Sequence, residues 1–113
     1  MDDRTIPLAN DKVQYRMLLR EAGYTVQQTT VLPGGETQWH HHTNVTDQFM
    51  VVRGVLTVEV NMDGRIHATR VRDFYSVDPG VVHHVKNETD NDVVYIMVQA
   101  GGTPDIVLAE SSR

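Results

Sequence analysis

Cysteine is absent from this 113-residue chain, so neither a disulfide framework nor a zinc-thiolate site can hold it together. Proline is scarce at four residues and tryptophan occurs once, which excludes a proline-rich extended scaffold and an aromatic stacking array. Positive charge is also in deficit. Ten Lys and Arg against fifteen Asp and Glu leave a formal charge of -5, the wrong sign for a nucleic-acid or anionic-membrane partner. Apolar runs are strand-sized, well below the ~20 residues of a membrane span, and Met1-Asp2-Asp3-Arg4 lacks the basic-then-apolar order of a secretory leader. These absences predict a cytoplasmic protein whose partner is a small molecule. At this length one domain buries roughly two thirds of its unfolded surface and folds without staples.

What the chain does have is turn chemistry at short intervals: Gly23, Pro33-Gly34-Gly35, Gly54, Asp63-Gly64, Pro79-Gly80, Asp90-Asn91-Asp92 and Gly101-Gly102. The segments between are strand-length and rich in Val, Thr, Tyr and Ile, which predicts an all-β sandwich or barrel. Val13, Tyr15, Met17 and Leu19 alternate with polar neighbours as a strand does, although residues 16–22 also contain good helix formers. Residues 49–52, 55–62 and 66–71 are expected to form an antiparallel meander, with Asp63-Gly64 supplying positive φ angles to a hairpin turn. The run 93–98 reads as a strand buried on both faces. Residues 1–10 and 104–113 are weakly patterned, as edge pieces or frayed tails.

Histidine carries the chemistry. His40 and His42 stand two apart and share one face of a strand, so both imidazoles can address one ion while another strand brings His83 to it. Imidazole suits Fe, Mn, Zn, Ni and Cu, and such a site gathers three or four ligands from rigid elements. Asp47 has the parity of Phe49 and Val51, which face an interior, and a carboxylate entering an apolar interior needs a compensating charge. A turn-capping role is its alternative, and Gln48 could ligate only through a bulge. By parity His41 and His84 face away from the ligands, and Trp39 faces away from His40. His67 reads as a surface residue, and Asn87 as a side chain that fixes a turn. Parity places Gln38, Phe49, Val51, Tyr75 and Val85 on the pocket wall, with Gln38 or Tyr75 as a donor to a developing oxyanion.

The stretch from Gly34 to Gly54 resembles the first motif of the cupin superfamily: glycine, five residues, His-x-His, three or four residues, an acid, six residues, glycine. Gly34, His40, His42 and Gly54 match, and Asp47 falls where the acid belongs. Residues 73–87 resemble the second motif through Asp73, Pro79-Gly80, His83 and Asn87. Two departures stand out. The family's usual acid is glutamate, one methylene longer than Asp47, and Arg72 and Asp78-Pro79-Gly80 replace a glycine and Pro-x-Gly.

The resemblance implies a single cupin domain over residues 1–113, a double-stranded β-helix or jelly-roll barrel with its core at about 13–100. It further implies one divalent transition-metal ion held by His40, His42, His83 and Asp47, and a homodimer. Within the family, chemistry varies on one fold. The expectation for this chain is a metalloenzyme on a small organic substrate, best read as an O2-dependent dioxygenase-type oxidoreductase. A non-redox isomerase, cyclase or lyase, a small-ligand binder, and a purely structural histidine knot are the alternatives.

Overall fold

The computed structural model describes residues 9–109 and contains ten strands and no helix among them. In chain order these are β1 (Val13–Glu21), β2 (Tyr24–Val31), β3 (His40–His41), β4 (Thr46–Arg53), β5 (Leu56–Met62), β6 (Arg65–Val71), β7 (Phe74–Val77), β8 (Val82–Lys86), β9 (Val93–Ala100) and β10 (Val107–Leu108). They form two five-stranded antiparallel sheets, ordered β1-β2-β9-β4-β7 and β10-β3-β8-β5-β6. No helix in the described residues is long and apolar enough to cross a membrane.

Period-two alternation puts Val13, Val31, Phe49, Leu56, Val58, Val85, Val93 and Tyr95 between the sheets, each buried to 2% exposure or less. The strand alternative for residues 16–22 prevails over the helix, because β1 pairs with β2 along its length. Asp63 and Gly64 adopt φ of 56° and 81° in the β5–β6 turn, the left-handed pair that a two-residue hairpin requires. The expected three-strand meander is corrected here. β4 pairs with β7 and β9 rather than β5, because the turn at Gly54, with φ of 84°, carries the chain from one sheet to the other. An added Cβ at Gly54 would lie 2.9 Å from the Asp92 carbonyl oxygen, so the crossover is tightly packed.

β9 is central in its sheet but alternates between buried and half-buried residues, so only its inner face is fully enclosed. Of the weakly patterned ends, residues 104–109 supply β10 and a segment over the site, while residues 1–8 and 110–113 lie outside the described residues.

Candidate metal centre

Two turn-and-strand segments lie side by side and build the site. Gly34 N–H donates to the Asn87 carbonyl (3.0 Å), Asn87 N–H to Gly35 (2.9 Å), Thr37 N–H to Val85 (2.9 Å) and Gly80 N–H to His42 (2.7 Å). The ladder makes His40 and His83 direct cross-strand partners. Asn87 locks it, donating to the Val31 and Asn91 carbonyls and accepting from Thr89. Asp47 enters from the opposite sheet, where β4 runs between β7 and β9.

His40, His42, Asp47 and His83 are all buried, and one ligand atom from each lies within 4.8 Å of the other three. Asp47 Oδ2 is 3.0 Å from both His42 Nε2 and His83 Nε2. Each ring is oriented through its other nitrogen: Nδ1 of His40 meets the Gln38 carbonyl, that of His42 the Asp105 carbonyl, and that of His83 the Val81 carbonyl. A carbonyl can only accept, so each Nδ1 carries a proton and each Nε2 is the atom left to ligate; an ion taking His83 Nε2 would replace the hydrogen bond that it makes with Asp47 Oδ2. His42 Nε2, buried, lacks hydrogen-bond geometry to any partner despite its closeness to Asp47. Three convergent Nε2 atoms and a carboxylate fit a divalent ion. Donors about 2.1 Å from one ion lie within about 4.2 Å of each other, so small side-chain movements close the set. Carbonyl-oriented imidazoles are also the usual outer support of metal-ligating histidines.

Electrostatics treats the rings differently. Burial and the neighbouring His83 lower His40 to about 3, leaving it neutral at pH 7. Burial pushes His42 down too, but contact with Asp47 and its charge outweigh this and raise it above the ordinary histidine value. Burial opposes ionisation of Asp47, yet its contacts with His42 and His83 hold it well below the usual carboxylate range. The site therefore contains a buried anion seeking positive charge. Gln99 Nε2 steadies that anion, donating to Asp47 Oδ1 at 2.9 Å.

The histidines open into a cavity of about 480 Å³. Met17, Phe49, Val85 and Met97 give it apolar walls; Tyr15, Thr25, Gln27, Gln99 and Arg20 add polar groups; Thr103, Pro104, Asp105 and Ile106 line it as well. Of the residues expected on the wall, Phe49 and Val85 line it. Val51 and Tyr75 pack against the core instead. Gln38 is solvent-exposed, because residues 37–39 do not form regular strand and simple alternation fails there; Thr37 turns inward in its place. Gln38 and Tyr75, the two candidate donors, are thus corrected: neither reaches the cavity.

Gln48 faces outward from an unbulged part of β4, half-buried and away from the ligands. His84 lies on the far side of its strand, stacked on Trp39 at 4.2 Å between ring centroids and held by Glu59 Oε1 at 2.6 Å. His67 is exposed on β6. Of the cavity residues that sequence reasoning missed, Thr25 and Gln27 had one signal, alternate polar positions within an otherwise strand-like segment.

A family model described as "Cupin domain" matches residues 27–99. L-ectoine synthase of Sphingopyxis alaskensis is 32% identical over 77 residues, which cover 66% of this chain and 56% of that protein. The match thus spans little more than half of that relative's length. Among solved structures, a conserved protein with a double-stranded β-helix domain from Klebsiella pneumoniae superposes with a TM-score of 0.78 at 23% identity, over 96% of this chain and 88% of that one. Oxalate oxidase in complex with the substrate analogue glycolate superposes with a TM-score of 0.76 at 18% identity, over 89% of this chain and 57% of that one. At such identities the likeness is one of fold.

Proposed function

The chain belongs to the cupin superfamily, and from that premise we propose that it is a metal-dependent enzyme acting on a small organic substrate, in its finer reading an O2-dependent oxidoreductase of dioxygenase type. One observation carries the proposal: three histidine side chains, each oriented through Nδ1 by a backbone carbonyl, and a buried carboxylate converge at the wall of a largely apolar cavity. A purely structural ion would be expected to sit in a closed shell; here the histidines line a space of small-molecule size.

His40, His42 and His83 would hold the ion and Asp47 would balance its charge. A bound divalent ion supplies Lewis acidity to substrate oxygens and, when it is iron or manganese, a path for electrons to dioxygen. Burial, with Tyr95 and Asp47 nearby, raises Tyr15 well above the ordinary phenol value. Its hydroxyl thus keeps its proton at neutral pH and can donate to a substrate oxygen. Gln27 and Thr25 offer further polar contacts, and the apolar walls exclude bulk water.

A homodimer belongs to the same proposal. Phe74, Met50 and Ile96 are cross-strand neighbours on the outer face of the first sheet, and Phe74, Met50 and nearby Val52 are 53%, 39% and 67% exposed. Such a face invites a second copy, which light scattering would detect.

The test is oxygen uptake by protein loaded anaerobically with Fe(II) or Mn(II) and offered a panel of small organic substrates. Uptake that vanishes in His42→Ala supports the proposal. Turnover without oxygen uptake supports a second, non-redox reading, favoured by the match to a synthase at 32% identity. Ligand-linked stabilisation without any turnover identifies a binder.

A further inference from the structure

The inner face of β2 carries Thr25, Gln27 and Thr29 before it reaches Val31, so most of its buried positions are polar. Other polar groups of the cavity are committed. Thr25 Oγ1 donates to Gln99 Oε1 at 3.3 Å, Gln99 Nε2 donates to Asp47 Oδ1 at 2.9 Å, and Thr37 Oγ1 accepts from the Val85 N–H at 3.0 Å. Arg20, the one Lys or Arg in the lining, has a partner of its own. Gln27 differs. Its side chain is 7% exposed, lines the cavity, and makes no hydrogen bond among the described residues. The two cavity glutamines thus have opposite situations: Gln99 uses both ends of its amide to steady Asp47, whereas Gln27 leaves both ends open.

Strand register fixes where that open amide sits. β1 keeps an unbroken register up to Met17 and then accommodates an extra residue, Leu18, before Leu19 pairs with Val26. Met17, Gln27, Met97 and Phe49 are therefore successive cross-strand partners on β1, β2, β9 and β4, and all four line the cavity. The row leads to the metal centre. Phe49 stands 6.4 Å from His83, ring to ring, and two strand spacings, about 10 Å, separate Gln27 from Phe49. One small molecule can span that distance. Met17 and Met97 give Gln27 flexible, polarisable neighbours, which adapt to the shape of a ligand and leave its recognition to the amide. An unpaired amide on a buried strand face is an unfavourable choice for folding alone.

We infer that Gln27 is a specificity-determining residue that reads a neutral carboxamide-type group of the substrate, accepting from its N–H and donating to its C=O, while an oxygen function at the far end reaches the histidines. This rests on the metal-centre reading for the far end only. A glutamine amide presents one acceptor and one donor group side by side. A carboxylate offers acceptors alone and would leave Oε1 facing an anion; an ammonium offers donors alone and would leave Nε2 unpaired. A carboxamide, lactam or ureide carries the complementary pair on one edge and satisfies both. A site built around such a pair rejects an analogue that lacks one partner, because the protein group is then left buried and unpaired.

The test measures binding of ω-hydroxyalkanamides of four to eight carbons, and of the matching methyl ketones and amidinium ions, by titration calorimetry on the full chain with and without Mn(II). Wild type is expected to bind the carboxamide about tenfold more tightly than the ketone, which keeps the acceptor and lacks the donor. Gln27→Met, matched in shape to its two neighbours, should level the two while ketone affinity and Mn(II) affinity stay unchanged. A carboxamide preference retained by Gln27→Met overturns the inference, as does a wild type that binds carboxamide and ketone equally or binds neither. Should Gln27→Met not fold, Gln27→Glu decides. Its carboxylate keeps the acceptor and loses the donor, so the preference should move from carboxamide towards amidinium by about tenfold or more relative to wild type, and an unmoved preference overturns the inference. If Mn(II) does not bind wild type, the metal reading fails, whereas the Gln27-dependent preference is still decided on the metal-free protein.

Discussion

Replacing Asp47 by Asn separates ion binding from folding. The change preserves the shape of a fully buried side chain and removes the charge that faces His42 and His83. An ion at 100 times its dissociation constant stabilises the native state by about 2.7 kcal/mol. With an unfolding entropy of about 2.1 cal/mol/K per residue, 1 kcal/mol moves the midpoint of a chain this size by about 4 °C. Wild type should therefore melt about 11 °C higher with the ion than without it. Loss of an anionic ligand is expected to weaken the ion by on the order of 100-fold, the upper end of what loss of an outer-shell partner costs. At the same ion concentration the variant is then half-saturated, gains about 0.4 kcal/mol and shifts by less than about 2 °C. The assay is thermal unfolding of chelator-stripped protein with Mn(II) or Ni(II) restored, each variant compared with its own metal-free form, alongside metal analysis. Equal shifts and equal metal content in wild type and Asp47→Asn would refute the four-ligand set and leave three histidines.

Phe49→Ala removes a fully buried ring that lies 5.4 Å from Tyr95 and 6.4 Å from His83, centroid to centroid. It should cost about 3–5 kcal/mol in urea unfolding; a loss below about 1 kcal/mol would mean that the core collapses to fill the space. Asn87→Ala should cost about 3 kcal/mol, because the Val31 and Asn91 carbonyls and the Thr89 donors lose their partner. An unchanged urea midpoint would show that water takes over those groups. For acid, His40 has a folded value of about 3 against 6.5 unfolded. Between those values the unfolded chain binds the proton that the native state refuses, so stability falls as pH drops from 6.5 towards 3. Metal-free His40→Gln should lose less stability than wild type between pH 7 and pH 4, and identical losses would place the acid sensitivity elsewhere.

The convergence of His40, His42, Asp47 and His83 and the fold were legible because short glycine turns space their residues. Gly34 and Gly80, with φ of 79° and 84°, start two strands at fixed distances from His40, His42 and His83, and hydrogen bonds then set one segment against the other. Parity worked wherever the strand is regular: His41 and His84 do face away from the ligands. It failed where an irregularity intervenes. The irregular backbone at residues 37–39 exchanges Gln38 for Thr37, and the extra residue Leu18 exchanges Leu19 for Arg20. The contact of Asp105 with His42 spans 63 positions, a tertiary closure that no local pattern announces.

Asp47 shows how tertiary context decides what a local departure means. One methylene shorter than the glutamate usual in its motif, its carboxylate has less reach from β4. Yet its Oδ2 stands 3.0 Å from two histidine nitrogens, and its other oxygen is held by Gln99. A longer acid at this position would carry its carboxylate beyond the point where Gln99 Nε2, His42 and His83 now meet it. Gln99 supplies the complementary condition, because its amide spans from Thr25 to the carboxylate and keeps Asp47 from rotating away. The short acid and the long amide therefore form a matched pair. Changing either one alone should disturb the ion site more than changing both together to Glu and Ser.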